Sequence, residues 1–257
     1  MPIHTFNHAA IPLSLPRKWI GDVLHFARQI PSVSVQYRME LAPLVAIRRV
    51  SERKLSWPAI FLKAYSLVCR DIPELRRSYL SRPYARLWQH ADSSASIAVT
   101  RRYRDEDAVF FVKIYQPELR SIWELEDLLR QHREDPIETL GCFRRLIRTT
   151  RYPRFLRRML WSISLNWSGR LRRKHFGTFA LSVYSSTGAD SPHPLSPLTT
   201  LLNYGPIGPT GSVVVRIVYD HRVMDGLVVA KALRQLDECL LGTVLDEIRR
   251  GTGRCAA

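Results

Sequence analysis

The sequence predicts an α/β fold in which helices pack on a mixed β-sheet, and three patterns support that prediction. Residues 213–219 form an apolar run rich in β-branched side chains, which is typical of a buried strand. Residues 32–41 alternate between apolar and polar side chains with the period of a half-buried strand. Residues 57–69 have the apolar spacing of a helix, with Pro58 in its first turn. Helical and strand patterns alternate along the chain, as in an α/β layer sandwich.

The other elements are assigned from the same periodicities and from the Gly and Pro residues between them. Residues 1–16 carry polar residues and prolines, and we expect them to form an arm or an edge strand. The further helices are predicted at 17–29, 41–53, 119–132 and 227–241. The further strands are predicted at 94–100, 108–115, 178–184 and 201–204.

Length and composition limit the class of protein. With 257 residues, 46% of them hydrophobic, the chain can bury the core of a single domain, which we assign to residues 1–257. No apolar run has the length of a membrane span, and the N-terminus lacks the pattern of a signal peptide. The four cysteines have no paired spacing, so we expect neither disulfides nor structural zinc. These features predict a cytoplasmic protein.

A heptapeptide from Asp220 to Gly226 lies between the 213–219 strand and the final helix. It places His221 and Asp225 four residues apart on a loop. Loops held by a rigid scaffold often carry catalytic groups, and imidazole exchanges a proton near neutral pH. The alternative is that His221 satisfies only a local hydrogen bond and that Asp225 is a turn residue before Gly226. The composition of the whole heptapeptide favours a catalytic role for His221, and both interpretations of Asp225 stay open.

The heptapeptide resembles the His-x-x-x-Asp-Gly signature of the chloramphenicol acetyltransferase-like superfamily. Its Asp-His-Arg-x-x-Asp-Gly form is similar to the catalytic core of dihydrolipoyl acyltransferases from 2-oxo acid dehydrogenase complexes. Weaker similarities follow the family's order at residues 55–64, 72–75, 96–99, 121–125 and 177–182. The resemblance implies a chloramphenicol acetyltransferase-like two-layer sandwich, with a mixed sheet and helices. No lipoyl domain, subunit-binding domain or linker precedes these residues, so we expect a free-standing catalytic domain.

The resemblance also implies acyl transfer from a thioester. That reaction needs a base for the attacking acceptor and a donor for the oxyanion. His221 is the candidate general base. Asp225 is expected to fix the loop by binding an arginine, as the equivalent carboxylate does in the family. Arg17, at the head of the first helix, is its candidate partner.

Two serines are candidates for the oxyanion donor that the resemblance implies. Counting forward from Gly-Thr-Phe at 177–179 gives Ser182, and counting back from Ser-Ser-Thr-Gly at 185–188 gives Ser185. We favour Ser185, because it lies where the strand gives way to a loop. On a regular strand, residues three apart face opposite sides, so the two cannot replace each other. Either hydroxyl could instead bond the backbone at the strand end.

The resemblance therefore predicts an acyltransferase that moves an acyl group, such as acetyl, to a hydroxyl, thiol or amine by direct transfer. The donor would be a coenzyme A thioester or an acyl carrier protein thioester. No metal is predicted, because no His-Glu-x-x-His helix or Cys/His cluster occurs. The family implies a homotrimer with the active site between subunits. The alternatives are a split acyltransferase subunit of a 2-oxo acid dehydrogenase complex and a non-catalytic scaffold that binds membrane or carrier protein.

The charge of the chain is strongly positive and unevenly distributed. The 39 Lys and Arg residues against 23 Asp and Glu give a net charge of +16, which favours an anionic partner. Residues 140–175, here called the basic segment, contain no acidic residue. We predict that this segment is an insertion of two helices. One would pack through Phe143, Leu146 and Ile147, and the other, after Pro153, through a face that includes Phe155 and Met159.

Three interpretations of the basic segment remain open. Its helices could pack on the domain while the arginines stay solvated. It could instead dock on an anionic membrane, at the inner membrane surface, or on an acidic carrier protein, with Trp161 and Trp167 at the interface. Nucleic acid is not expected, because no recognised binding motif accompanies the charge. The predicted docking residues are Arg144, Arg145, Arg148, Arg154, Arg157, Arg158, Arg172 and Arg173.

Overall fold

The fold is described by a computed structural model for residues 10–183 and 188–253. Eight strands are present in these ranges: β1 (Ser32–Glu40), β2 (Arg77–Leu80), β3 (Arg86–Gln89), β4 (Ser94–Tyr103), β5 (Glu106–Tyr115), β6 (Phe179–Leu181), β7 (Thr200–Tyr204) and β8 (Ser212–Asp220). Six of them form a mixed sheet in the order β1-β8-β7-β6-β4-β5, and β2 pairs with β3 in a separate hairpin.

Nine α-helices lie in the same ranges: α1 (Leu15–Ala27), α2 (Ala42–Val50), α3 (Trp57–Asp71), α4 (Ile122–Glu134), α5 (Gly141–Thr150), α6 (Arg154–Asn166), α7 (Gly169–His175), α8 (Gly226–Cys239) and α9 (Leu245–Gly253). A π-helical turn, Leu240–Val244, joins the last two. In this described part of the chain, no helix is both long and apolar enough to cross a membrane.

The sheet has its main core and most of its helices on one face, which gives the predicted α/β sandwich, whereas α1 and α6 pack against Phe111 on the other face of β5. Alternate side chains of β8, such as Val215 and Ile217, point into the main core. That core also contains most of α3, which is buried from Ala59 to Cys69. Val218 points to the opposite face and packs in a smaller cluster with Ala180, Leu198 and Leu201. The period-two pattern of the sequence thus separates the two faces of the sheet.

Most predicted elements are confirmed, with shifts of a few residues at their ends. Three predictions were wrong or incomplete. The β2–β3 hairpin was not predicted. The basic segment contains three helices, α5 to α7, instead of two. Residues 10–14 form no strand, and residues 1–9 lie outside the described part of the chain.

The basic segment packs on the domain through faces that differ between its helices. α5 buries Phe143 and Leu146 as predicted. α6 does not use the predicted face. It buries Trp161 and Leu165 against Val23 of α1 and its neighbour Phe26. The predicted apolar face of α6 is instead exposed to solvent, through Phe155, Met159, Leu160, Ile163 and Trp167.

Two arginines of the predicted docking set are buried and a third is partly buried in an ion pair, so this part of the prediction was wrong. Arg157 is 7% exposed and its Nε donates to the buried carboxylate of Asp22 at 2.6 Å. Arg172 is 4% exposed and donates to three backbone carbonyls. Arg173 is half-buried and pairs with Asp92 at 2.6 Å. Burying a charge is costly unless it is bonded, and these contacts supply the bonds.

The Arg157–Asp22 pair should stabilise the attachment of α6 to α1. Asp22→Ala leaves the buried guanidinium of Arg157 without its counter-charge, and Arg157→Met leaves the buried Asp22 carboxylate with only the longer contact to Arg158 at 3.6 Å. We expect each to lower the free energy of unfolding by about 3–5 kcal/mol. Urea denaturation monitored by circular dichroism measures this loss.

Two controls make this test specific. Arg154→Met removes an exposed arginine from the same helix and should change stability by less than about 0.5 kcal/mol. The double variant Asp22→Leu with Arg157→Met removes both charges and should regain most of the loss. Equal, small effects of Arg157→Met and Arg154→Met would contradict a structural role for Arg157.

Candidate active site

The C-terminal end of β8 is held by an ion pair between a buried carboxylate and a partly exposed guanidinium. The Asp220 carboxylate has no exposure and accepts from the Nε of Arg222 at 2.9 Å and from its Nη2 at 2.8 Å. The backbone N–H of Arg222 also donates to it, at 3.1 Å. The guanidinium of Arg222 lies over the ring of Tyr79, 4.2 Å from its centroid. Bidentate geometry and stacking together hold Arg222 in one orientation.

His221 lies between these two paired residues, and its side chain points away from them. Its backbone N–H donates to the carbonyl of Pro31 at 3.1 Å, which ties the loop to the residue before β1. Its ring lies 5.6 Å from the ring of Tyr219. The side chain is 49% exposed, so the imidazole reaches solvent from a fixed backbone. This arrangement is suited to a proton acceptor for a substrate.

Asp225 faces His221 across the loop. One carboxylate oxygen lies 3.7 Å from Nδ1 of His221, which is longer than a hydrogen bond but within reach of a charge interaction. The side chain of Asp225 is 85% exposed. Because Nδ1 faces this carboxylate, Nε2 on the other edge of the ring is the nitrogen offered to a substrate.

The predicted partner of Asp225 is placed elsewhere. Arg17 is 61% exposed and its Nε lies 3.6 Å from a carboxylate oxygen of Glu106, so the structure pairs it with β5 instead of with Asp225. The arginine that fixes the loop is Arg222, and its carboxylate is Asp220. Both residues were in the heptapeptide, but the pattern did not show which carboxylate would be buried.

Ser182 lies far from His221 along the sheet, level with the middle of β8. Its backbone N–H donates to Leu202 and its carbonyl accepts from the Asn203 amide at 2.7 Å, which continues the β6–β7 pairing by one residue. Asn203 is opposite Arg216 on β8. His221 is five residues further along, or about 17 Å, and β6 and β8 are about 10 Å apart. Within one chain, the two side chains therefore cannot contact the same reacting group.

Ser185 lies outside the described residues, so its position relative to His221 is not defined. Within the described ranges, no group of three or more His, Cys, Asp or Glu side chains is arranged to hold a metal ion. Burial raises the pKa of Tyr219, with a smaller contribution from the Asp225 carboxylate. Tyr219 is thus a neutral neighbour for His221 at physiological pH.

Solved structures with this fold include several acetyltransferases. No protein-family model matches the sequence, and no curated protein matches it. A probable dihydrolipoamide acetyltransferase from Listeria monocytogenes is 18% identical, with 91% of this chain and 94% of that one covered and a TM-score of 0.65. The dihydrolipoamide acetyltransferase of Azotobacter vinelandii is 17% identical over 95% of this chain and 98% of that one, with a TM-score of 0.67.

A chloramphenicol acetyltransferase also matches, at 13% identity over 89% of this chain and 96% of that one, with a TM-score of 0.51. The chain therefore has the chloramphenicol acetyltransferase-like fold, as its heptapeptide predicts. At these identities the similarity establishes the fold.

Proposed function

We propose that this chain is an acyltransferase that moves an acyl group, such as acetyl, from a thioester to a hydroxyl, thiol or amine, with His221 as the general base. One observation carries the proposal. An accessible imidazole is held at the end of β8 by the ion pair between the buried Asp220 carboxylate and Arg222, on a fold shared with acetyltransferases. The thioester would belong to coenzyme A or to an acyl carrier protein.

The proposed reaction is a direct transfer. Nε2 of His221 accepts the proton of the acceptor as the acceptor's oxygen, sulfur or nitrogen attacks the thioester carbonyl. The resulting oxyanion is stabilised by a serine hydroxyl, Ser182 or Ser185. The intermediate then collapses, the carbon–sulfur bond breaks, and the thiolate takes the proton from the imidazolium. Asp225 favours that imidazolium by its charge.

A homotrimer with the active site between subunits is part of the proposal. Its support is the sheet register, which keeps Ser182 about 20 Å from His221 within one chain. A second copy can bring its serine to the histidine of the first. The Azotobacter enzyme was studied for the roles of a serine, a histidine and an asparagine in its mechanism. Its histidine and asparagine are four residues apart, as His221 and Asp225 are.

A place in a 2-oxo acid dehydrogenase complex is the alternative within the same chemistry. Three of the solved neighbours are cores or acetyltransferases of such complexes. The acceptor distinguishes the two. A subunit of that kind would use dihydrolipoamide, whereas a free-standing enzyme would prefer another acceptor. A scaffold without catalytic activity is less well supported, because nothing structural requires an accessible His221 beside Asp225.

We also propose that the enzyme binds the anionic inner surface of a membrane through α6. The exposed apolar residues of this helix recur at intervals of three and four, from Phe155, which is 75% exposed, to Trp167, which is 48% exposed. They form one stripe along the helix, and Arg151 and Arg154 are exposed at its N-terminal end. An apolar stripe beside cations, with no acidic residue in the segment, complements an anionic lipid surface.

The exposure of the side chains in this segment changes the set of residues that can take part in docking. Trp161 cannot enter a lipid interface, because it is 7% exposed and packs against Trp19, Phe26 and Phe176. Trp167 remains as the exposed aromatic residue. Arg157, Arg172 and Arg173 are withdrawn from the docking set, and Arg144, Arg145, Arg148 and Arg154 stay in it as exposed residues.

The catalytic assignment is tested by His221→Ala. Loss of a positioned base should lower turnover of the best donor and acceptor pair by about 10²–10⁴-fold, with the melting temperature nearly unchanged. The pair is found by screening acyl-coenzyme A thioesters of several chain lengths against hydroxyl, thiol and amine acceptors, with dihydrolipoamide among them. His175→Ala, at an exposed histidine of α7, is the matched control. Near-normal turnover of His221→Ala would exclude it as the base.

The shared active site is tested by mixing two inactive variants. One variant is His221→Ala, and the other is whichever of Ser182→Ala and Ser185→Ala proves inactive. Both should lose activity, and the serine variant should lose about 2.7–4 kcal/mol of transition-state stabilisation. In mixed trimers, some sites combine an intact histidine with an intact serine, so co-expression should restore part of the activity. Light scattering should give a trimer. Full activity in a stable monomer would refute the arrangement.

Membrane binding is tested by sedimentation with vesicles. The protein should bind vesicles of anionic lipid, should not bind neutral ones, and should dissociate as salt rises, because exposed charges are screened within about 10 Å at 0.1 M. The Trp167 fluorescence should shift on binding, and the shift should be absent in Trp167→Phe. Phe155→Ser and Arg151→Glu with Arg154→Glu should each weaken binding about tenfold or more.

Leu119→Ser is the matched control, because Leu119 is an equally exposed apolar residue outside the stripe. It should leave binding unchanged. If the protein binds an acidic carrier protein and no vesicle, the docking partner of the stripe is that carrier and not a membrane. Absence of binding to either, with unchanged activity of the Arg→Glu variant, would leave the stripe without a docking role.

A further inference from the structure

A cleft of about 300 Å³ lies beside the catalytic loop and is separate from the His221 imidazole. Arg222, the residue after His221, forms part of its wall, and Ile30, next to the Pro31 that holds His221, forms another part. The remaining walls come from the C-terminal end of α1 and the residues after it, from the β2–β3 hairpin, from α6 and α7, and from Pro197. The basic segment thus contributes directly to a cavity at the candidate active site.

The wall of this cleft is rich in hydrogen-bond donors. Its polar lining consists of three arginines and five uncharged residues that can donate hydrogen bonds, and none of the described lining residues is acidic. The arginines are Arg82, Arg172 and Arg222, and the uncharged residues are Gln29, Tyr79, Ser81, Ser162 and Asn166. Such a lining recognises an anion with several acceptor oxygens.

Arg172 has more donors than the protein uses. Its Nη1 donates to the carbonyls of Leu165 at 3.0 Å and Tyr79 at 3.4 Å, and its Nη2 to that of Pro197 at 3.0 Å. Its Nε is buried and has no partner among the described residues. A buried N–H without a partner is rare in folded proteins and often marks a place for a ligand or a water molecule.

The charge of the cleft is not balanced by the protein. Asp220 is close enough to favour the charged form of Arg172, but both of its oxygens already bond Arg222. In the described part of the chain, neither Arg172 nor Arg82 has a carboxylate partner. Burial lowers the pKa of Arg172 to about 10, so the guanidinium stays protonated at neutral pH. Arg172 and Arg82 therefore leave about two positive charges at the cleft.

We propose that this cleft is a binding site for a phosphate group, with Arg172, Arg82 and Arg222 as its cationic wall. A phosphate monoester carries about −1.5 to −2 charges near pH 7, which matches the two uncompensated arginines, and its oxygens can accept from several directions. A carboxylate carries one charge and lies in a plane, so it fits less well. The phosphate is either that of free inorganic phosphate or one carried by a thioester donor such as coenzyme A.

The site is tested by binding, without any turnover, so its failure is distinct from failure of the acyltransfer proposal. Inorganic phosphate should raise the melting temperature of the intact protein and give saturable heat in calorimetry, compared with chloride at equal ionic strength. Arg82→Glu places a negative charge at the exposed part of the cleft and leaves the buried contacts of Arg172 intact. It should weaken phosphate binding at least tenfold.

Two further variants complete the test. Arg172→Gln should abolish binding, and if it fails to fold, Arg82→Glu alone decides. Arg154→Glu makes the same change of charge at an exposed position at the N-terminal end of α6, whereas the cleft is lined by Ser162, Leu165 and Asn166 at its C-terminal end, so phosphate binding should be unchanged. No saturable phosphate binding, or equal losses in Arg82→Glu and Arg154→Glu, would overturn the proposal.

The source of the phosphate follows from competition. If the site holds the donor's phosphate, inorganic phosphate and coenzyme A should compete, and Arg82→Glu should weaken coenzyme A binding but not that of pantetheine, which lacks phosphate. If free phosphate is the ligand, inorganic phosphate and coenzyme A should bind to the protein at the same time. Either outcome supports the site and identifies its occupant.

Discussion

The buried Asp220 carboxylate is the constraint on which the candidate active site depends. A carboxylate with no exposure must have its charge and its lone pairs satisfied inside the protein. Arg222 satisfies both oxygens, and this fixes the backbone on either side of His221. The stacking of Arg222 on Tyr79 then holds the β2–β3 hairpin beside the loop that carries His221. An accessible histidine on a rigid loop is the result.

A second consequence concerns the large positive charge. A net charge of +16 would suggest an evenly basic surface, but several arginines of the basic segment serve the interior. Arg157 neutralises Asp22 between α6 and α1. Arg172 bonds carbonyls from three separate parts of the chain and leaves an unused donor at a cleft. The segment thus forms part of the core, of an exposed surface and of a cavity wall at the same time.

The sequence was most informative where a pattern fits one type of element. β1, β8 and α3 were predicted closely, because period-two alternation, a β-branched apolar run and a long helical spacing each indicate a strand or a helix without ambiguity. The β2–β3 hairpin was missed, since its strands have four residues each and both begin with an arginine. The face of α6 was assigned wrongly. That helix has apolar side chains on two sides, and propensity alone cannot say which side meets Phe26 of α1.

The sequence by itself determined the fold and the loop that carries His221, because both are encoded in local patterns: strand periodicity, helix periodicity and one heptapeptide. Only the tertiary structure decided which charged groups are buried, that Arg222 and not Arg17 fixes that loop, and that Ser182 and His221 lie far apart along the sheet. Those facts depend on strand register and on packing between residues distant in the chain. Burial is a property of the assembled fold, and no local pattern specifies it.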